Sequence, residues 1–284
     1  MEAALPNYFR PRKLSDALSY LADSRVRVVG GCTDVLAATI KPALVEPLLD
    51  VTAIDGMRGI ADTADFWRIG GATTWSDVIA APLPPAFDSL KRAAREIGSV
   101  QIQNTATVAG NLCNASPAAD GVPPLLVLDA SVELASMTGT RTLPLGNFLQ
   151  APGTTALRDD ELLSAVLVPK SAAYGNSGFV KLGTRKYLVI SIVMAAVRLV
   201  ESQGKVEQIA IAVGSCSPVA ARLNSLESRL TGQQSGPGLV SLVTDELMAR
   251  DLSPIDDVRA SAEYRQQAAV EIVRRAIAQA VGEA

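Results

Sequence analysis

The 284-residue sequence contains no histidine. A Ser-His-Asp triad, the usual zinc sites and a flavin attached through histidine are therefore excluded. The cysteines, Cys32, Cys113 and Cys216, do not have the spacing of metal ligands, so this chain cannot hold an iron-sulfur cluster by itself. We predict that they are reduced, buried thiols. Any chemistry in which the chain takes part must come from a bound cofactor.

Long apolar runs and a strong net charge are missing as well. No segment is long and apolar enough to cross a bilayer. The N-terminal sequence MEAALPNYFRPRK lacks the order of charged and apolar residues that is typical of a secretory signal. We therefore expect a soluble, cytoplasmic chain, although a partner could carry an export signal. The formal net charge of −3 does not indicate binding to nucleic acid or to an anionic membrane.

Two segments rich in small residues are the most informative part of the sequence. The first turn, Gly30 to Asp34, follows a predicted strand at residues 25–29 and precedes a helical pattern. The second lies within residues 98–124, which we predict to be a polar loop between a helix at residues 88–97 and the apolar run 125–128. Small side chains and accessible backbone N–H groups let a main chain approach an anion closely. Two such turns suit a ligand with two phosphates.

Other glycine motifs are excluded by their spacing. Neither Gly-Gly pair has the G-x-G-x-x-G spacing of a nicotinamide-binding fold, and no glycine turn leads into the Gly-Lys-Ser/Thr of a P-loop. We interpret the second pair, Gly70-Gly71, as a tight turn before a helix that starts at Thr74, because no cluster of donors accompanies it.

The remaining hydrophobic pattern predicts a mixture of helices and strands. We expect strands at residues 48–51, 132–136, 141–145 and 162–168, and a hairpin of residues 190–200 and 206–213. We expect helices at residues 14–21, from residue 35 to Lys41-Pro42, and at residues 223–230, 240–250 and 259–281.

Four segments together resemble a known family. They are VVGGCTDVL from Val28, IGSVQIQNTATVAGNLCNASPAADGVPPLLVLDA from Ile97, FVKLGTRK from Phe179 and SAEYR from Ser261. In this order they resemble the FAD-binding medium subunit of the molybdenum hydroxylases, the relatives of xanthine dehydrogenase and carbon monoxide dehydrogenase. The resemblance covers nearly the full length, which makes it specific.

The resemblance implies an α+β fold. We expect the two-subdomain FAD-binding fold of the PCMH or vanillyl-alcohol-oxidase-like type, followed by a C-terminal domain of antiparallel sheet plus helices. The expected divisions are an N-terminal α/β FAD-binding subdomain at residues 1–54, a second FAD-binding α+β subdomain at 55–176 and a C-terminal α+β domain at 177–284. FAD would lie extended between the two subdomains.

The resemblance also implies contacts with the cofactor. The first turn would wrap the FAD diphosphate through Val28, Val29, Gly30, Gly31, Cys32, Thr33, Asp34 and Val35. The second turn would approach the diphosphate and the ribityl chain from the other side through Thr107, Gly110 and Asn111. Asp120 would accept hydrogen bonds from cofactor hydroxyls. Ile97 and Leu163 would pack near the cofactor, with Lys181 at the edge of the site. We predict no catalytic residue and no metal ligand on this chain.

The implied function is electron transfer within a multi-subunit enzyme. A large molybdopterin-containing subunit would hydroxylate a substrate with water, and a small subunit would relay the electrons through [2Fe-2S] clusters. This chain would collect them on FAD and pass them to NAD or to another acceptor.

Two residues depart from the family pattern and keep alternatives open. Ala109 replaces a glycine of the second turn, where its methyl group would obstruct a close approach to phosphate and disfavour a positive φ. Val189 stands where relatives have an acidic residue, so a polar contact near the flavin or a partner would be missing. The alternatives are a stand-alone FAD-dependent oxidoreductase and a flavin-free assembly protein. Taken singly, Asp120 could be a helix cap and Lys181 a solvated surface residue.

Overall fold

The computed structural model describes residues 8–23, 25–37 and 46–282. Its strands form one parallel sheet, two antiparallel sheets and a small strand pair within those residues. They are β1 (Tyr8–Phe9), β2 (Arg27–Val29), β3 (Leu48–Asp50), β4 (Ile60–Asp62), β5 (Phe66–Gly70), β6 (Ser131–Ser136), β7 (Gly139–Pro144), β8 (Leu149–Ala151), β9 (Thr154–Thr155), β10 (Leu162–Pro169), β11 (Asn176–Leu182), β12 (Val193–Ser202), β13 (Lys205–Gly214) and β14 (Ala221–Arg222).

Helices connect and cover these sheets. They are α1 (Leu14–Asp23), α2 (Thr33–Ala37), α3 (Trp75–Ala80), α4 (Asp88–Glu96), α5 (Val100–Gln103), α6 (Val108–Asn114), α7 (Val122–Val127), α8 (Leu145–Phe148), α9 (Asn224–Leu230), α10 (Asp245–Met248) and α11 (Ala262–Val281). Short 3₁₀ helices lie at Pro85–Phe87, Lys170–Ala172 and Pro237–Leu242. No helix among the described residues is both long and apolar enough to cross a membrane.

The N-terminal sheet positions the first turn. Its order is β1-β3-β2, and both strand pairs are parallel. α1 covers this sheet through Ala17, Leu18 and Leu21, which recur at helical spacing and are buried in one cluster with Leu49. β2 ends at Val29, and the first turn follows directly. The sheet therefore fixes where that turn begins.

The central sheet is antiparallel and has the order β4-β5-β10-β6-β7. β10 lies in its middle and is buried along almost its whole length. Because both faces of this strand are covered, its sequence LLSAVLVP is apolar except for Ser164 and does not alternate. The helices that carry the second turn pack into the same core as this sheet.

The C-terminal sheet is antiparallel, with the order β11-β12-β13-β14, and has a core on each face. Successive side chains of β12 point to opposite faces. Met194 and Ala196 belong to the core shared with the central sheet. Ala195 and Val197 belong to the core beneath α11. The C-terminal sheet is therefore packed against the rest of the chain, which brings its β11 edge to the site.

Most predicted strands and the hairpin are confirmed, and Gly71 begins a turn that precedes α3, as interpreted. The predicted loop at residues 98–124 is wrong. Ser99 and Thr107 cap the short helices α5 and α6 with their side chains, and prolines in the first turn begin α7. Small polar residues here start helices and do not form one open loop.

Two further helix predictions need correction. Residues 240–250 do not form one helix, because a 3₁₀ segment and α10 are separated there. The last helix begins at Ala262 and not at residue 259, because Ser261 is its N-cap. The predicted helix end at Lys41-Pro42 lies outside the described residues.

The N-terminus of α3 gives a first testable prediction. Thr74 Oγ1 accepts a hydrogen bond from Asp77 N at 3.2 Å, and Asp77 Oδ2 accepts one from Thr74 N at 3.0 Å. This reciprocal capping box leads us to expect that Thr74→Ala lowers the free energy of unfolding by about 1 kcal/mol. Urea unfolding measures the change. Thr74→Ser keeps the hydroxyl and should unfold close to wild type, and equal losses in both variants would contradict the capping explanation.

Candidate functional site

The first turn and the second turn, far apart in the sequence, are in direct contact. A Cβ atom at Gly31 would lie 1.8 Å from the carbonyl oxygen of Thr105. A Cβ atom at Gly30 would lie 2.8 Å from Oγ1 of Thr107. Only glycine lets two main chains come this close. The turns are therefore neighbouring sides of one cleft.

The first turn offers backbone donors. Among the described residues, none accepts a hydrogen bond from the N–H groups of Gly31, Cys32, Thr33 or Asp34. Cys32 has a φ of 57°, in the left-handed region. A left-handed residue within a run of free N–H groups is the arrangement of an anion-binding nest. This turn can therefore hold a phosphate group.

The second turn differs, because the protein already uses its N–H groups. Thr107 Oγ1 caps α6. The N–H groups of Val108 and Ala109 donate to the carbonyl oxygens of Thr73 and Gly71, at 2.9 and 3.1 Å. The prediction that this turn offers accessible backbone donors is wrong for these residues. The second turn forms a wall of small residues against which the first turn packs.

A cavity of about 730 Å³ opens between these turns and the C-terminal part of the chain. All predicted site residues except Leu163 line it, namely Val28, Val29, Gly30, Gly31, Cys32, Thr33, Asp34, Val35, Ile97, Thr107, Gly110, Asn111, Asp120 and Lys181. Leu163 lies in β10, and its side chain is buried in the core of the central sheet. The structure therefore brings the predicted residues together in one place, with that exception.

Asp120 and Lys181 form a buried ion pair in the cavity wall. Lys181 Nζ donates to Asp120 Oδ2 at 2.6 Å, and Ser191 donates to Oδ1. The two side chains are only 8% and 6% exposed, so Lys181 is not a solvated surface residue. Burial raises the pKa of the Asp120 carboxyl, and the Lys181 ammonium group and the Ser191 hydroxyl partly oppose that rise.

The far wall of the cavity was not predicted from the sequence. It includes Leu188, Ile190, Asp257, Arg259 and Arg265 from the C-terminal part of the chain. Leu188 and Ile190 are 55% and 52% exposed, and the sequence alone does not show that these apolar side chains stay outside the core. These residues join the cavity only through the tertiary packing of the C-terminal sheet.

Arg265 connects α11 to this wall through hydrogen bonds. It lies in the SAEYR segment, and its side chain is 1% exposed. Its Nη1 donates to the carbonyl oxygens of Ile192 and Ser215 at 2.5 and 2.9 Å, and its Nη2 pairs with Asp257 at 2.5 Å. A buried guanidinium that binds two strand ends and a loop fixes their relative position. Arg265 is therefore a structural residue of the site.

Ala109, which departs from the family pattern in the second turn, does not obstruct the cavity. Ala109 lies inside α6, is not among the residues with positive φ, and does not line the cavity. The predicted steric problem at Ala109 is therefore wrong. Asn111 lines the cavity, and its buried Oδ1 has no hydrogen-bond partner among the described residues. A buried amide oxygen left unpaired is a candidate contact for a polar ligand.

Two thiols, those of Cys32 and Cys113, line the cavity. Burial raises the pKa of the Cys113 thiol to about 12 and also raises the pKa of Cys32. Thiols of this kind are poor nucleophiles. All three cysteines are free, but Cys32 and Cys113 are only half-buried, so the prediction of burial is correct only for Cys216. No group of carboxylates and cysteines within the described residues could hold a metal ion.

Comparison with protein families covers almost the entire chain. The family model described as the FAD binding domain in molybdopterin dehydrogenase matches residues 3–171. The model described as the CO dehydrogenase flavoprotein C-terminal domain matches residues 179–280.

Individual relatives and solved structures agree with these matches. The chain is 30% identical over 284 residues to the xanthine dehydrogenase FAD-binding subunit of Escherichia coli O157:H7, covering 98% of this chain and 97% of that protein. It is 27% identical to the carbon monoxide dehydrogenase medium chain of Hydrogenophaga pseudoflava, covering 95% of each. A chain of the solved carbon monoxide dehydrogenase from that organism matches with a TM-score of 0.89 and 26% identity, covering 100% of this chain and 99% of that one. The predicted fold is confirmed.

The buried ion pair gives a pH-dependent prediction. Lys181→Met leaves the Asp120 carboxylate buried without its cation, and removing one partner of a buried pair costs about 3–5 kcal/mol. A carboxyl whose pKa is raised in the folded state destabilises the fold as the pH rises through that pKa. We therefore expect the deficit in free energy of unfolding to be largest near about pH 8 and to shrink toward about pH 5. Urea unfolding across this range measures it.

Two control variants isolate the charge effect. Lys205→Met removes an exposed lysine and should show no comparable deficit. Adding Asp120→Asn to Lys181→Met removes the titrating group, so the pH dependence of the deficit should disappear. A Lys181→Met deficit that stays constant across the pH range would contradict the explanation.

Proposed function

The chain belongs to the family of FAD-binding subunits of the molybdopterin dehydrogenases, and we propose that it passes the electrons of such an enzyme from [2Fe-2S] clusters to a final acceptor. FAD is the cofactor of this family, and its members are subunits of oxidoreductases. What we propose is the route of the electrons through this chain and the nature of their final acceptor. The acceptor would be NAD or another compound.

The first turn is the observation that carries the proposal. It combines N–H groups at residues 31–34, from which no described residue accepts a hydrogen bond, with a position at a cavity of about 730 Å³. A diphosphate needs several donors at close range, and backbone N–H groups supply them without a long side chain. We assign the diphosphate of FAD to this turn.

The remaining residues fit the rest of the cofactor. The unpaired Oδ1 of Asn111 can receive a donor of the ligand. Each oxygen of Asp120 accepts one hydrogen bond within the protein and keeps room for a second, so it can also bind a ribityl hydroxyl. Ile97 supplies an apolar contact in the same wall. The predicted contact of Leu163 would have to be indirect, since its side chain lies in the core.

The chain would bind and orient the cofactor without reacting itself. Bound FAD supplies the ability to take up and release electrons, which these side chains lack. The ion pair of Asp120 and Lys181 would hold the cavity wall in place beside it. The two turns would keep the diphosphate end fixed, because neither can move without losing their mutual contact.

We further propose the partners and the domain division. Relatives of this chain are named medium chains, which implies a larger and a smaller chain beside each of them. We propose a large molybdopterin-containing subunit and a small [2Fe-2S] subunit. Within the chain, units at residues 1–54, 55–176 and 177–284 would each hold one of the three larger described sheets, although β11 already begins at Asn176.

FAD binding tests the role of the first turn. Gly31→Ala places a methyl group where the carbonyl of Thr105 lies, so the two turns must separate. We expect the affinity for FAD to fall at least about tenfold, which corresponds to about 1.4 kcal/mol. Flavin absorbance after FAD addition and gel filtration, followed by fluorescence titration, measures it.

A matched glycine variant controls for nonspecific effects. Gly238 has no neighbour within 4 Å of an added Cβ and does not have positive φ, so Gly238→Ala should bind FAD like wild type. If the wild-type chain gains no flavin bands, or if Gly31→Ala retains FAD fully, the assignment of the diphosphate is wrong.

Copurification tests the proposed partners. An affinity-tagged chain expressed in its native host should retain one larger molybdenum-containing and one smaller iron-containing protein, which mass spectrometry and metal analysis identify. Reduction of the bound FAD by substrate should then require both partners. Turnover of a substrate by the isolated chain would instead favour a stand-alone oxidoreductase.

A further inference from the structure

A second cavity of about 600 Å³ lies beside β11. Lys181 is the residue that it shares with the FAD cleft. The cavity is also lined by α4 through Arg92 and Glu96, and by Arg185 and Lys186 of the segment after β11. Its volume falls in the range of small-molecule sites.

The charge of this second cavity is strongly positive. Four cationic side chains, Arg92, Lys181, Arg185 and Lys186, line it together with one carboxylate, Glu96. The chain as a whole has a formal net charge of −3. A concentration of positive charge on an acidic protein attracts anions locally.

Three of these cations have no carboxylate partner among residues 8–23, 25–37 and 46–282. Arg92 Nη1 donates to the amide oxygen of Gln279 at 2.5 Å. Arg185 Nε donates to the carbonyl oxygens of Tyr187 and Leu188 at 3.0 and 3.1 Å. Lys186 Nζ lies 5.2 Å from the ring centroid of Tyr187. Neutral groups thus orient these three side chains, and no carboxylate of the described residues forms an ion pair with them.

We propose that this cavity is a second anion-binding site, which takes a phosphate-bearing small molecule. Guanidinium groups bind phosphate oxygens through paired N–H donors, and an ammonium group adds a point charge. Arg92 keeps Nε and Nη2 available, and Arg185 keeps Nη1, since their described hydrogen bonds use the other nitrogens. A cavity of this volume has the size that takes a small molecule.

The site does not depend on the proposed diphosphate turn. Except for Lys181, the residues of the two cavities are different. Lys181 already pairs with Asp120, so the ligand would bind mainly through the other three cations. Occupancy of the second site and of the cleft can therefore be measured separately.

Calorimetric titration of inorganic pyrophosphate into the chain saturated with FAD tests the proposal. The cleft is then filled, and we expect saturable binding at one further site. The double variant Arg92→Gln, Lys186→Gln should bind pyrophosphate at least about tenfold more weakly. A parallel titration with ADP distinguishes a nucleotide ligand, which would bind more tightly than pyrophosphate, from a free phosphate compound, which would not.

The control variant removes the same charge elsewhere. Lys205 and Arg229 are exposed and lie outside the cavity, so Lys205→Gln, Arg229→Gln should bind pyrophosphate like wild type. The affinity for FAD should be unchanged in both double variants. Absence of saturable binding, or equal binding by the two double variants, would overturn the proposal. If the chain does not retain FAD, the same comparison without FAD still decides it, because only the cavity variant should lose affinity.

Discussion

The close contact between the first and second turns is the constraint on which the rest of the site depends. Gly31 meets the main chain of Thr105 at a distance that excludes any side chain. Each turn is also fixed from behind. Val51 N donates to Val29 O just before the first turn. Thr107 pairs with Thr74 as an isolated bridge beside the second. The cavity exists because two rigidly held segments meet at their smallest residues.

The two turns have similar compositions but different roles. The N–H groups of the second turn donate to Thr73, Gly71 and its own cap, whereas no described residue accepts from the N–H groups of residues 31–34 in the first. A saturated turn is stiff and cannot rearrange around a ligand without breaking hydrogen bonds. The first turn therefore supplies the donors and the second supplies the surface that holds it. A diphosphate would therefore receive its backbone hydrogen bonds from the first turn and not equally from both turns.

The sequence predicted those features of the fold that depend on local patterns of residues. Alternating and continuous apolar runs located the strands, and the resemblance to the FAD-binding medium subunits located most of the site residues. Helix caps were underestimated, because Ser99 and Thr107 were interpreted as loop residues although their hydroxyls accept hydrogen bonds that start helices. The far wall, with Ile190 and Arg265, could not be predicted, since these residues approach the turns only after the C-terminal sheet packs on the rest of the chain.

Lys181 shows why burial has to be known before a charged residue can be interpreted. In the sequence it is one of three cations in the segment that also contains Arg185 and Lys186. In the structure it lies between two cavities and pairs with a carboxylate that burial would otherwise favour in its neutral form. A buried pair gains little net stability over an apolar replacement. Its effect is instead to fix β11 against the segment that contains Asp120. The pair thus lies between the cleft beside the first turn and the cavity lined by Arg92, Arg185 and Lys186.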